Sequence, residues 1–82
     1  MLHVWVTQQL ESGRIRVTPP YGIRQTTVPA PDVEDPHKAI IMRRIFNSYG
    51  KDEKVTVEQR EEIPGQWGSG WVWRVWVEPA GE

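Results

Sequence analysis

The segment Trp71–Val77, with the sequence WVWRVWV, decides the fold, because aromatic and β-branched residues fill all but one of its positions. Such residues favour extended strands, in which successive side chains point to opposite faces of a sheet. We therefore predict a strand with an inner face, turned towards the core, and an outer face. The inner face carries Trp71, Trp73, Val75 and Val77, and the outer face carries Val72, Arg74 and Trp76.

Two alternating segments at the start of the chain, residues 2–10 and 14–18, are separated by the turn signal Glu11-Ser12-Gly13 and are typical of a β-hairpin. The pattern predicts inner positions for the aliphatic residues Leu2, Val4, Val6, Ile15 and Val17. It predicts outer positions for His3, Trp5, Thr7, Arg14 and Arg16.

A further strand is predicted over residues 54–63, followed by a Gly-rich hairpin loop at 64–70 that contains Trp67. Alternation assigns Val55, Val57 and Gln59 to the inner face, and Thr56, Glu58 and Arg60 to the outer face. These assignments depend on alternation alone, and a shift of one residue would exchange the two faces.

Five of the seven prolines lie in residues 19–36, which indicates a Pro-rich connection over 19–34, with a short edge strand at residues 23–28 as an option. Asp35 and Pro36 suit the N-cap and first position of a helix, and Gly50 suits its C-cap. The predicted apolar side of this helix comprises Ala39, Ile41, Met42, Ile45, Phe46 and Tyr49, and His37 falls on the polar side.

The element order β-β-α-β-β predicts an α+β fold, a two-layer sandwich in which one helix covers one face of an antiparallel sheet. The sheet has four strands, or five if the Pro-rich connection contributes one. We expect a single domain over residues 1–82, with a frayed tail at residues 78–82.

Composition narrows the function classes. The 82 residues include 10 Lys+Arg, 11 Asp+Glu and no cysteine. These counts exclude a disulfide framework, a cysteine zinc site, a thiol nucleophile and a polybasic protein that coats nucleic acid by charge alone. We expect no cofactor, no metal and no membrane segment, and the N-terminus lacks the features of a secretion signal. The prediction is a soluble, cytoplasmic protein, and its small core makes a homo-oligomer an option.

The candidate binding residues are the predicted outer-face residues Trp5, Arg14, Arg16, Arg74 and Trp76, together with Trp67 in the hairpin loop. Tryptophan and arginine dominate protein-binding hot spots and also stack on unpaired bases. The alternative is a solvated face with cation–π pairs across strands. Two roles are open for Trp67. Its side chain folds back to cover the small core, or it is an anchor that becomes ordered on binding.

No catalytic residue is assigned. His37 lies beside Glu34 and Asp35, and His3 lies on the predicted outer face, but neither belongs to a recognisable catalytic pattern. The leading hypothesis is a non-enzymatic interaction domain of the inhibitor or adaptor type, compatible with a phage or mobile-element protein, that binds a protein partner or itself. The alternatives are a single-stranded nucleic-acid-binding domain that uses the same residues, and a small metal-independent hydrolase or nuclease.

Overall fold

The computed structural model describes residues 1–20 and 24–79. Its elements are β1 (Leu2–Gln9), β2 (Arg14–Thr18), β3 (Thr26–Pro29), α1 (Pro36–Ser48), β4 (Glu53–Ile63) and β5 (Gly70–Pro79). The strands form one antiparallel sheet of five, in the order β3-β2-β1-β5-β4, and α1 packs across one face. The predicted α+β fold is confirmed, with the Pro-rich connection supplying the fifth strand.

Turn chemistry accounts for the hairpin between β1 and β2. Gly13 has a φ of +87°, a backbone conformation that glycine adopts without steric cost. Its N–H donates to the carbonyl of Leu10, and the N–H of Leu10 donates to the carbonyl of Arg14, both over 2.9 Å. These bonds close the turn and set the register between the two strands.

The ends of the sheet differ slightly from the expected boundaries. β3 pairs with β2 from Val17↔Thr26 to Arg14↔Pro29, and the first predicted residue of this strand, residue 23, lies outside the described residues. β5 continues two residues into the predicted tail, where Glu78 pairs with Lys54. Residues 80–82 of that tail lie outside the described part of the chain. No helix within residues 1–20 and 24–79 is long and apolar enough to cross a membrane.

The helix starts as predicted and ends differently. Asp35 is the N-cap, and its carboxylate accepts the N–H of Lys38 over 3.1 Å, with Pro36 in the first helical turn. The predicted C-cap at Gly50 is wrong, because Tyr49 ends the helix in an extended conformation (φ −114°, ψ 149°). This conformation brings the Tyr49 hydroxyl to side chains of β1, and those contacts outweigh the local preference for a glycine cap.

The buried side of the helix is also rotated from the predicted one. His37, Ile41 and Ile45, spaced four residues apart, are its buried residues. Phe46 is 55% exposed and Ala39 is exposed, so their predicted place on the packed side is wrong. The rotation follows from His37, whose ring forms a hydrogen bond beneath the helix.

The two faces of β1 are exchanged relative to the prediction. His3, Trp5 and Thr7 are buried under the helix, whereas Leu2 and Val4 are exposed on the opposite face. Trp5, predicted as a surface binding residue, is only 4% exposed and belongs to the core cluster. The other strands agree better, because Ile15, Val17, Trp73, Val75 and Val77 are buried as predicted.

Hydrogen bonds explain why the more polar side of β1 lies inwards. The Trp73 indole N–H donates to the Thr7 hydroxyl oxygen over 3.0 Å, and the same hydroxyl shares a 2.9 Å hydrogen bond with His37 Nδ1. The Trp5 indole N–H donates to the Tyr49 hydroxyl over 3.1 Å, and this hydroxyl lies 2.7 Å from His3 Nδ1. Because buried polar groups are costly only when unpaired, these bonds make the inward orientation stable.

A β-bulge changes the faces of β4. The pairing shifts between Val57, opposite Val75, and Gln59, opposite Arg74. Gln59 therefore lies on the outer face and Arg60 on the inner face, which reverses both predictions. The Arg60 guanidinium packs 4.2 Å from the centre of the Trp71 ring and forms a 2.7 Å ion pair with Asp35.

Replacement of Thr7 by valine tests the inward orientation of β1. Valine keeps the shape of threonine but leaves the Trp73 indole N–H and the His37 ring nitrogen without their buried partner. We expect the free energy of unfolding, measured by urea denaturation, to fall by at least about 2 kcal/mol. The matched control, Thr56→Val on an exposed position of β4, should change it by less than about 0.5 kcal/mol. Equal effects in the two variants would contradict the assignment.

Candidate interaction surface

The outer face of the sheet is the surface that the helix does not cover. Strand pairing arranges its side chains in rows across β1 and β5, with Leu2 opposite Trp76, Val4 opposite Arg74 and Val6 opposite Val72. On either side, β2 contributes Arg14, Arg16 and Thr18, and β4 contributes Lys54, Thr56, Gln59, Glu61 and Ile63.

The middle of the outer face is apolar. We use the term apolar stripe for the outer-face residues Leu2, Val4, Val6, Val72 and Trp76. Leu2 is 48% exposed, and Val4 and Trp76 are each 39% exposed. An antiparallel sheet with one solvated face ordinarily alternates apolar inner residues with polar outer ones. The stripe departs from that pattern because the hydrogen-bonding residues of β1 occupy the inner face.

Opposite charges flank the apolar stripe. Arg14 and Arg16 lie on β2, and Glu61 lies on β4 with its side chain 60% exposed. The Arg16 Nη2 atom donates to Gln8 over 2.7 Å, while its Nε atom is buried without a partner among the described residues. Arg74, which lies between Val72 and Trp76 on β5, forms a 3.3 Å ion pair with Glu61. The outer face thus has two arginines along β2, an apolar centre, and Glu61 with Lys54 along β4.

The loop between β4 and β5 holds Trp67 at one end of this face. The indole is half-exposed and lies outside the core cluster, which excludes the reading in which it plugs the core. It lines a cavity of about 350 Å³ together with outer-face residues that include Gln8, Arg16 and Ile63. Trp67 therefore extends the outer face past the ends of the strands.

The structure brings most of the predicted binding residues to one surface. Arg14, Arg16, Arg74 and Trp76 lie on the outer face and Trp67 lies at its end, whereas Trp5 is under the helix. Sequence reasoning missed the aliphatic residues Leu2, Val4 and Val6. The residue pattern of β1 does not predict their outward direction. That direction follows from the hydrogen bonds of Thr7 and His3 to residues far away in the chain.

Neither histidine is placed for catalysis on an open surface. His37 and His3 are both buried, and one ring nitrogen of each already shares a hydrogen bond with a hydroxyl. Thr7, the hydroxyl beside His37, is itself completely buried, so a substrate cannot reach it in this conformation. Among residues 1–20 and 24–79, no three His, Asp or Glu side chains are grouped closely enough to hold a metal ion.

Comparisons with protein-family models, characterised proteins and solved structures find no significant match to this chain.

The buried His37 predicts a pH dependence of stability. Burial lowers the pKa of His37 below its ordinary value of 6.5, although the nearby Asp35 carboxylate acts in the opposite direction. As the pH drops below about 6.5, His37 becomes protonated more readily in the unfolded chain than in the folded chain. The free energy of unfolding should therefore fall. Above that pH, His37 is neutral in both states and this loss of stability does not occur.

Urea denaturation at a series of pH values measures this effect, with His37→Asn as the control. Asparagine can place a polar atom near the position of Nδ1 but does not titrate. The wild-type chain should lose more stability than the variant between neutral and mildly acidic pH. Parallel curves for the two proteins would show that His37 is not buried in its neutral form.

Proposed function

We propose that this chain is a non-enzymatic interaction domain that binds a protein, either a different chain or a second copy of itself, through the outer face of its sheet. The binding residues are the apolar stripe, the flanking Arg14 and Arg16, Arg74 within the stripe and Trp67 at its end. The type of protein that we propose is a small cytoplasmic inhibitor or adaptor.

The observation that supports this proposal is the exposed apolar stripe itself. Contiguous apolar patches on small proteins commonly mark interaction sites, and covering them contributes about 25 cal/mol for each Å² of apolar surface removed from water. Tryptophan in the stripe and arginine at its border are the residue types that carry most of the binding energy in protein interfaces. An apolar centre with a charged border is also the usual anatomy of such an interface.

Binding of single-stranded nucleic acid remains the alternative, since Trp76, Arg14, Arg16 and Arg74 share the outer face. Three features count against it. Trp5 is buried and cannot stack on a base. Arg74 already pairs with Glu61, which adds negative charge beside it. The centre of the face is aliphatic, whereas single-strand binders present aromatic rings along a basic groove.

Addition of a single-stranded oligonucleotide at low salt distinguishes these functions. Stacking of bases on Trp76 or Trp67 would quench tryptophan fluorescence, and the binding would weaken steeply with salt. We expect no saturable quenching. Quenching that is lost in Trp76→Ala would favour the nucleic-acid function instead.

A charge placed in the apolar stripe tests the proposed function. Val4→Glu should abolish association while leaving the fold intact, because the side chain is exposed and a carboxylate there opposes desolvation on binding. The matched control is Phe46→Glu, an exposed apolar residue on the helix. Circular dichroism and urea denaturation should show that both variants fold.

Association has two measurable forms in this experiment. One is self-association, followed by light scattering. The other is capture of a defined protein from a host lysate, followed by reconstitution of the pair from purified components. Wild type and Phe46→Glu should associate equally, and Val4→Glu should not. Association that Val4→Glu leaves unchanged would contradict a role for the outer face.

A further inference from the structure

We infer that a second copy of this chain covers the outer face, in a symmetric dimer whose two sheets stack face to face. The two-fold axis lies between the stacked sheets, parallel to the strands and midway between β1 and β5. This inference rests on the proposed function and makes it more specific. Stacked sheets pack about 10 Å apart with strands within about 30° of each other, which two such faces can adopt.

The rows of the outer face are self-complementary about this axis. A two-fold rotation about a line between β1 and β5 places β5 of one copy over β1 of the other and preserves the rows. The pairs observed within one chain then recur between chains, with Trp76 over the partner's Leu2 and Val72 over the partner's Val6. Aromatic side chains of one copy then meet aliphatic side chains of the other, so the same patch is complementary to itself.

The central arginine favours this axis over the alternative. An axis perpendicular to the strands and centred on the row of Val4 and Arg74 would place Arg74 of one copy over Arg74 of the other. Like charges in a desolvated interface are strongly unfavourable. With the parallel axis, Arg74 instead lies over the partner's Val4 and keeps its ion pair with Glu61 of its own chain.

The charged residues at the borders of the face also favour the parallel axis over the perpendicular one. That rotation places β2 of one copy over β4 of the other, so Arg16 faces the part of β4 that carries Glu61. The two residues lie one row apart, a separation that these long side chains can span. Each contact occurs twice in the dimer because of the symmetry.

The edges of the sheet do not compete with this arrangement. β3, at one edge, has four residues and ends in Pro29, which has no N–H to donate. β4, at the other edge, carries a bulge and a run of charged residues, Glu58 to Glu62 broken only by Gln59. Short strands, prolines, bulges and charges are the features that prevent strands from adding at an edge.

The size of the face predicts a reversible dimer. Four strands about 4.8 Å apart, each with about eight residues at about 3.4 Å per residue, cover roughly 500 Å² in projection. Two copies would bury on the order of 1,000 Å² together, at the low end for specific interfaces. Association should therefore depend on concentration in the micromolar range or above.

Sedimentation equilibrium across low micromolar to millimolar concentrations tests the occupant. Wild type and Phe46→Glu should shift from the 9.5 kDa monomer to twice that mass, and Val4→Glu should remain monomeric. A wild-type chain that stays monomeric throughout overturns the second-copy inference. If a different purified protein still binds wild type but not Val4→Glu, the proposed function survives that result. A dimer that is insensitive to Val4→Glu overturns the use of this face.

Charge reversal tests the orientation. Arg16→Glu and Glu61→Arg should each weaken self-association at least about tenfold, because each homodimer contains two like-charge contacts. An equimolar mixture of the two variants should associate more tightly than either variant alone, because both contacts then join opposite charges. The rescue cannot arise within one chain, where β2 and β4 are about 14 Å apart. A mixture no tighter than the single variants overturns the parallel axis.

Discussion

The hydrogen bonds between the inner side of β1 and the helix are the constraint on which the rest of this structure depends. Thr7 meets His37 near the start of the helix, and His3 meets Tyr49 at its end. Between these two contacts, the helix lies along the strand with Ile41 and Ile45 in the core. The indole N–H groups of Trp5 and Trp73 join the same two hydroxyls. These two large aromatic side chains are therefore buried with their indole donors hydrogen-bonded.

The surface follows from that interior arrangement. In a strand, turning three hydrogen-bonding residues inwards turns the intervening residues outwards, and in β1 those residues are Leu2, Val4 and Val6. Pairing with β5 then aligns them with Val72 and Trp76. A core that relies on polar contacts thus leaves an apolar stripe on the uncovered face. The same hydrogen bonds that stabilise the fold therefore account for the apolar residues on its uncovered face.

Local signals were sufficient for the elements of the fold but not for all of their orientations. Alternation in β2 and β5 predicts the inner residues correctly, because there one side of the strand is clearly more apolar. In β1 both sides combine apolar and β-prone residues, and the choice depends on His37 and Tyr49, more than 25 residues away in the chain. Hydrogen bonds between residues so far apart in the chain cannot be predicted from the residue pattern of a single strand.

The bulge in β4 limited prediction in a different way. One inserted residue between Val57 and Gln59 reverses every later side chain, which brings Arg60 to Trp71 and Asp35 instead of to the outer face. Burial raises the pKa of Asp35, but hydrogen bonds from Arg60 and the Lys38 amide outweigh it and hold that pKa below its ordinary value. For the candidate surface, the residue types Trp and Arg were informative, and five of the six predicted side chains reach it. The aliphatic residues that β1 contributes to this surface could be identified only once the orientation of β1 was known.

A nuclear Overhauser experiment on the wild-type chain tests the orientation of β1 most directly. With Thr7 facing inwards, cross-peaks should connect the Thr7 methyl group to the His37 ring and to the Trp73 indole N–H. None should connect the helix to the methyl groups of Val4 within one chain. Cross-peaks between Val4 or Val6 and the helix residues Ile41 and Ile45, with none from Thr7, would contradict this orientation.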